Sequence, residues 1–186
     1  MLEQNAVVEA KKVDSGVRRT RLREFQTQLV ERMQAAQRGA HTKFNQLGIV
    51  IGGSRYLLDL RESGEIVSAN TFSPVPLTKD WYLGLANVRG NLTGVIDLPR
   101  FQGLESTRFE SSSRVVAFAQ HLAFNNGLLV TQVLGLRSSE EMTELPFESD
   151  SKPWLRKKFQ DKEGQIWYEL SLADLVLDQD FLHIGI

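Results

Sequence analysis

Four groups of residues in this 186-residue chain could do chemistry. Gly52 and Gly53 follow an apolar run in LGIVIGGSRY, a position where glycines can cradle a phosphate. His41, His121 and His183 could ligate a metal, and His41, just past a helical segment, could accept a phosphoryl group. Glu140, Glu141, Glu144, Glu148 and Asp150 could supply paired carboxylates for acid–base work. Arg89, followed by Gly90, stands between two apolar, β-rich segments in WYLGLANVRGNLTGVIDL and could pair with a carboxylate through a bidentate guanidinium.

The first three groups lack the context their chemistry needs. A dinucleotide loop requires a strand, G-x-G-x-x-G and then a helix, whereas Gly52-Gly53 leads into the extended run Tyr56-Leu57-Leu58-Asp59-Leu60. A hairpin turn accounts for it better, and no Walker lysine pattern occurs. The histidines form no H-x-x-x-H pair and have no carboxylate at ligand spacing, so each reads as an isolated polar residue. The acidic run lies in a loop with Pro146 and reads as a solvated face, without the burial that separates the pKa values of a catalytic pair. No G-x-S-x-G elbow is present. Cysteine is absent, which removes disulfides, zinc–thiolate sites and thiol nucleophiles. These features predict a protein that is not an enzyme and holds no cofactor or metal. Arg89 remains, either as part of an ordinary hairpin or as part of a surface built for a partner.

The elements that would position it are mostly short strands. Apolar runs over 47–51 and 55–60 flank the Gly52-Gly53-Ser54 turn, and residues 65–67 are extended. Ser73-Pro74-Val75-Pro76 fits only a surface connection. Residues 83–88 and 92–98 make the motif region, followed by a polar loop over 102–113. A β-prone run over 114–124, a tight turn at Asn125-Asn126-Gly127 and a returning strand over 128–136 come next. The acidic excursion spans 138–150, the basic stretch 153–158 suggests a helical turn, and 165–170 is the last strand. Ser171 is placed to cap a short helix carrying Leu172, Leu175 and Val176, and the apolar tail 181–186 should pack down. About nine or ten strands with Gly and Asn turns predict a mainly β fold of barrel or sandwich type.

The N-terminal part differs. Residues 1–16 have no period and read as a disordered tail. Over 17–38, Leu22, Phe25, Leu29, Met33 and Ala36 recur at helical spacing, and Gly39 ends the pattern. Residues 1–43 hold nine Lys/Arg against five Asp/Glu, so the rest of the chain, with a total of −1, carries −5. Arg18, Arg19, Arg21 and Arg23 form either a solvated helix face or a docking arm for an acidic partner. No long apolar run opens the chain, so the expectation is a cytoplasmic protein with no leader and no membrane insertion.

Gly84, Asn87, Val88, Arg89, Gly90, Val95, Ile96, Asp97 and Leu98 match, in order and spacing, the core signature of the CheW-like domain family, which they resemble with one departure: Gly94 stands where the family usually has proline. The resemblance extends to LGIVIGGSRYLLDLRESGEIV, to VVAFAQHLAFNNGLLVTQVLGL and to IWYELSLADLV, and so covers roughly residues 47–176. Thr131-Gln132-Val133 replaces a family D-x-V segment. The N-terminal helical pattern and the ending are most similar to the PilI-type adaptors of type IV pilus chemosensory systems.

The resemblance implies a mainly β fold of two intertwined five-stranded barrels, here with a long N-terminal helix and a short C-terminal one, in a domain spanning 44–186. It implies a non-catalytic cytoplasmic adaptor that binds the regulatory domain of a CheA-like histidine kinase and the signalling tip of a methyl-accepting chemoreceptor, with twitching motility as the output. It implies that Arg89 helps form the receptor-facing site and pairs with Glu65. The candidate partner-binding residues are Glu65, Asn87, Val88, Arg89, Gly90, Leu92, Val95 and Ile96, with Val88, Leu92, Val95 and Ile96 as apolar anchors or ordinary core. Two rival functions stay open: a nucleic-acid-binding β-barrel with a basic arm, against which aromatics do not interleave with basic residues along the strands, and a nucleotide enzyme using Gly52-Gly53.

Overall fold

The computed structural model describes residues 46–148 and 152–186. The expected tail over 1–16, the helix over 17–38, the linker to 43, His41 and Asp150 lie outside the described residues. The chain divides between residues 43 and 44, and every described residue belongs to the second unit.

Strands β1 (Gln46–Ile51) and β2 (Ser54–Asp59) form an antiparallel hairpin closed by the pair Ile51 and Ser54. Gly52 and Gly53 take φ values of 54° and 81°, the two left-handed positions of a tight turn whose twist matches its strands. The glycines therefore make a hairpin, with no helix behind them to hold a phosphate. The chain then crosses to a second sheet through β3 (Ser63–Ser68), β4 (Tyr82–Val88), β5 (Asn91–Ile96), β6 (Arg114–Phe118) and β7 (Asn126–Val130). One residue, Thr131, separates β7 from β8 (Gln132–Arg137), which returns to the first sheet. β9 (Thr143–Leu145), β10 (Leu155–Gln160) and β11 (Ile166–Leu170) complete that sheet.

The large sheet has the order β8-β1-β2-β11-β10-β9 and the small one β3-β6-β7-β5-β4. Two pairs are parallel, β2 with β11 and β5 with β7. The large sheet is thus assembled from both ends of the described chain, and the small sheet from its middle. Three one-turn helices, α1 (Leu98–Phe101), α2 (Leu172–Leu175) and α3 (Gln179–Leu182), fill the gaps.

Alternation decides what each sheet face buries. On β6 and β7, Val116 and Leu128 join Ile49, Ile51 and Leu58 of the large sheet in the main core, with Leu172, Leu175 and Phe181 from the short helices. Their strand neighbours Val115 and Leu129 point to the opposite face and meet Val95, Ala69, Val67, Leu83 and Ala86. Every strand of the small sheet reaches this second cluster, so the sheet curls around it. Two such faces explain why these strands are continuous apolar runs. Each fully buried Leu or Ile contributes roughly 1.5–3 kcal/mol.

Several expectations are corrected. Strand β6 ends at Phe118, and a 3-10 turn over Gln120–Leu122 follows. The reversal falls on Ala123, at φ 52°, rather than on Asn126-Gly127, which begin β7. Gly127 is instead a packing residue, because a Cβ there would lie 2.8 Å from Val115 Cγ1 and 2.9 Å from the Val116 carbonyl oxygen. The run 128–136 is two strands in different sheets. The basic stretch 153–158 enters β10, not a helical turn, and the acidic excursion contains β9. Ser171 caps α2 as expected, its Oγ accepting from Asp174 N at 3.1 Å. In the tail Phe181 is buried, whereas Ile186 is 85% exposed.

Candidate partner-binding surface

Val88 pairs with Asn91 across the β4–β5 hairpin, leaving Arg89 and Gly90 as its two turn residues. Their φ values are 49° and 91°, so both are left-handed. This turn type favours Asn, Asp or Gly at its first central position. An arginine there is strained by roughly 1 kcal/mol. Asn87 helps hold the turn, its Oδ1 accepting from Gly90 N at 2.7 Å.

The strain places a cation where it can cross the sheet. β3 and β4 are the two edges of the small sheet. From the hairpin beside β4, Arg89 Nε reaches to 2.7 Å from Glu65 Oε2 on β3. The segment that follows β3 also reaches β4, through an antiparallel bridge between Ser73 and Leu85. Glu65 alternates with Ile66 and shares its face with Val67, which packs into the small-sheet cluster. The ion pair therefore closes one mouth of the curled sheet above that cluster.

Glu65 Oε2 is shielded from solvent and accepts no aligned hydrogen bond. The pair is a charge contact through Nε, not the bidentate fork expected from the sequence. The Arg89 side chain is 78% exposed and that of Glu65 41%. Such a pair contributes about 0–1 kcal/mol to folding, no more than the backbone strain it accompanies. Fold stability therefore gives little reason for an arginine at this turn.

The eight candidate residues separate by exposure. Asn87 and Leu92 are cross-strand partners on the outward face, both exposed, with Leu92 at 64%. Gly90 is exposed at the tip. Val88, Val95 and Ile96 are buried, the last two completely. Of the two readings, anchor or ordinary core, their packing is that of core: Val95 lies in the small-sheet cluster and Ile96 in the main core. Asn125 was missed. Its Nδ2 donates to Leu92 O at 2.6 Å and its carbonyl accepts from Gly94 N at 3.1 Å, which fixes the strand beneath Leu92. Its sequence context, Asn-Asn-Gly, had pointed to a turn.

Gly94 itself is explained. A Cβ there would collide with the Asn126 side chain and lie 2.5 Å from Tyr82 Oη. Its N–H is in use, so a proline would lose a hydrogen bond as well as clash. The rest of the signature is structural: Asp97 is buried and accepts from Thr107 N at 2.9 Å and Thr107 Oγ1 at 2.6 Å, which pins the loop over 102–113. Among the described residues no group of His, Cys, Asp and Glu is arranged to hold a metal. His121 and His183 are exposed and far apart in the fold's element order, in the 3-10 turn and after α3. No helix among the described residues is long and apolar enough to cross a membrane.

The profile of the CheW-like domain matches residues 46–180. The chain belongs to the CheW-like domain family. Its relatives include Protein PilI of Pseudomonas aeruginosa, 29% identical over 157 residues, with 81% of this chain and 85% of that protein covered. Chemotaxis protein CheW of Thermotoga maritima is 24% identical over 72% of this chain and 88% of its own length. The crystal structure of scaffolding protein TtCheW from Thermoanaerobacter tengcongensis superposes with a TM-score of 0.59 at 18% identity, covering 70% of this chain and 90% of that one. That likeness carries the fold alone.

Proposed function

We propose that this protein is a non-catalytic adaptor that couples a chemoreceptor to a CheA-like histidine kinase, in a chemosensory system controlling type IV pilus twitching motility. Membership of the CheW-like family and the likeness to PilI over most of both chains support the adaptor and pilus readings. The observation that carries the site is Arg89: a strained, exposed cation that folding does not require, paired across the mouth of the small sheet with Glu65. In this reading the ion pair presents Arg89, Asn87 and Leu92 as one surface for the receptor tip. Leu92 is the apolar anchor and the guanidinium the polar rim. The kinase regulatory domain binds elsewhere on the same cytoplasmic domain, 44–186, whose two curled sheets act as the two barrels.

Affinity capture from the source cell tests this. The wild-type chain is expected to retain a CheA-like kinase and a chemoreceptor, and Arg89→Ala and Glu65→Ala to lose the receptor while keeping their folded spectra. Unchanged capture by both variants refutes the site. Absence of any chemosensory kinase from the wild-type capture refutes the function.

A further inference from the structure

β5 is supported unevenly along its length. On one side it pairs with β4 as far as the hairpin closure at Val88 and Asn91. On the other, its parallel ladder with β7 starts only at Gly94, opposite Asn126, and runs to Ile96. Leu92 and Thr93 lie beyond that ladder, toward the Arg89 tip. Leu92 is also exposed, so packing of its own side chain does not hold it. An apolar anchor on a strand end with a single neighbour would be mobile, and ordering it on contact would cost affinity.

Asn125 takes the place of the missing strand. Its Nδ2 donates to Leu92 O at 2.6 Å, and its Oδ1 accepts from Thr93 Oγ1 at 3.4 Å. Its backbone carbonyl accepts from Gly94 N at 3.1 Å. One residue thus bonds three consecutive residues of β5. The amide's orientation follows from chemistry, since Leu92 O only accepts and so meets the nitrogen. The base of this clamp is rigid. Phe124 before it lies against Phe118 and Phe181, with ring centroids 5.9 and 5.6 Å away, and Asn126 after it is buried in β7. The chain reaches this position through Ala123, an exposed alanine whose φ of 52° is a strained, left-handed conformation.

We propose that Asn125 is a positioning residue of the receptor-facing surface: its side-chain amide holds the exposed end of β5, so that Leu92 meets the receptor tip already ordered. This rests on the reading of Asn87, Arg89 and Leu92 as that surface. Leu92 is gripped from both sides, by its pairing with Asn87 on β4 and by Asn125 from the β7 side. A surface whose anchor is ordered beforehand binds more tightly with no added contact, because the freedom is lost before the partner arrives. Asn125 acts through Leu92 and need not touch the receptor itself.

The test pairs NMR relaxation of the full chain with binding to a signalling-tip fragment of the chemoreceptor that the wild-type chain retains. In Asn125→Ala, and in Asn125→Asp, which keeps the size but cannot donate, the Leu92 amide should have a lower order parameter than in the parent. Both variants should bind the fragment about fivefold more weakly and the kinase regulatory domain as before. Leu92→Ala should weaken the fragment by itself, and adding Asn125→Ala to it should change nothing further, because the clamp works only through that anchor. A general structural defect would weaken both partners and add to the loss from Leu92→Ala. The proposal is overturned by an unchanged order parameter, by variants that bind the fragment as the parent does, by an equal loss of kinase binding, or by additive losses in the double variant. If the parent retains no receptor, the receptor-facing surface falls and this role with it; a binding parent beside an indifferent Asn125→Ala removes this role alone.

Discussion

Replacing Arg89 by asparagine separates what the hairpin needs from what a partner needs. Arg89 sits at φ 49°, a conformation that asparagine accepts and that strains arginine by roughly 1 kcal/mol. The substitution also deletes the ion pair with Glu65, worth about 0–1 kcal/mol because the arginine side chain is 78% exposed. The two effects oppose each other, so Arg89→Asn should match the parent to within about 1 kcal/mol. Arg89→Ala deletes the same ion pair and keeps the strain. The ion pair cancels between the two variants, and the difference reports the backbone alone: asparagine should exceed alanine by about 1 kcal/mol. That is about 4 °C in melting temperature for a domain of this size. Urea unfolding followed by tryptophan fluorescence measures it. Binding should not follow stability. Both variants should lose at least about tenfold in receptor affinity, the equivalent of 1.4 kcal/mol. Equal stability of the two variants would defeat the strain argument. Recovery of binding by asparagine would show that the turn shape, not the cation, is what the receptor reads.

Three further outcomes follow from other contacts. Gly94→Pro, which installs the usual family residue, should cost about 3 kcal/mol or more in a melt, since it removes the bond from Gly94 N to Asn125 O; a neutral result would mean that β5 can shift past Asn126. Glu62 accepts from Leu172 N at 2.6 Å and Ala173 N at 3.3 Å, tying the crossover between sheets to α2. Glu62→Ala should cost about 1–2 kcal/mol and Glu62→Gln much less; equal losses in unfolding experiments would deny the capping role. Burial pushes the Glu169 carboxyl above its ordinary 4.5, so the folded state disfavours its charge. Stability from this group is full below 4.5 and is lost as pH rises through the raised value. Glu169→Gln should therefore stabilise at pH 7 with a gain that vanishes below about pH 4; a gain independent of pH contradicts the assignment.

The hairpins were legible because their turns are glycine-marked: Gly52-Gly53 and Arg89-Gly90 sit where the sequence places them. β10 was hidden by its own register. A bulge between Leu155 and Lys157 breaks the alternation, so buried Leu155 and Phe159 look like helical spacing around a basic run. Asn126-Gly127 misled for a different reason. The glycine is needed for close approach of β6, a long-range fact that a local turn rule cannot contain. At the site, Arg89 could be singled out from its setting, and Glu65 came from resemblance. The anchors could not be sorted, since whether Val95 or Leu92 faces outward depends on what packs against each face of β5, which distant segments decide.

The way the chain threads its two sheets bears on how it is made. A ribosome adds roughly 5–20 residues each second. Strands β3 to β7 emerge as a consecutive block, so the small sheet can close while synthesis continues. Among the described strands, β1 and β2 leave the tunnel first, yet β8 and β11, which flank them, come later than the whole small sheet. β8 follows the small sheet almost at once, but for several seconds more the β2 edge that β11 will cover stays bare beside a finished neighbour, and the nascent protein is then most open to mispairing with another copy on the same message.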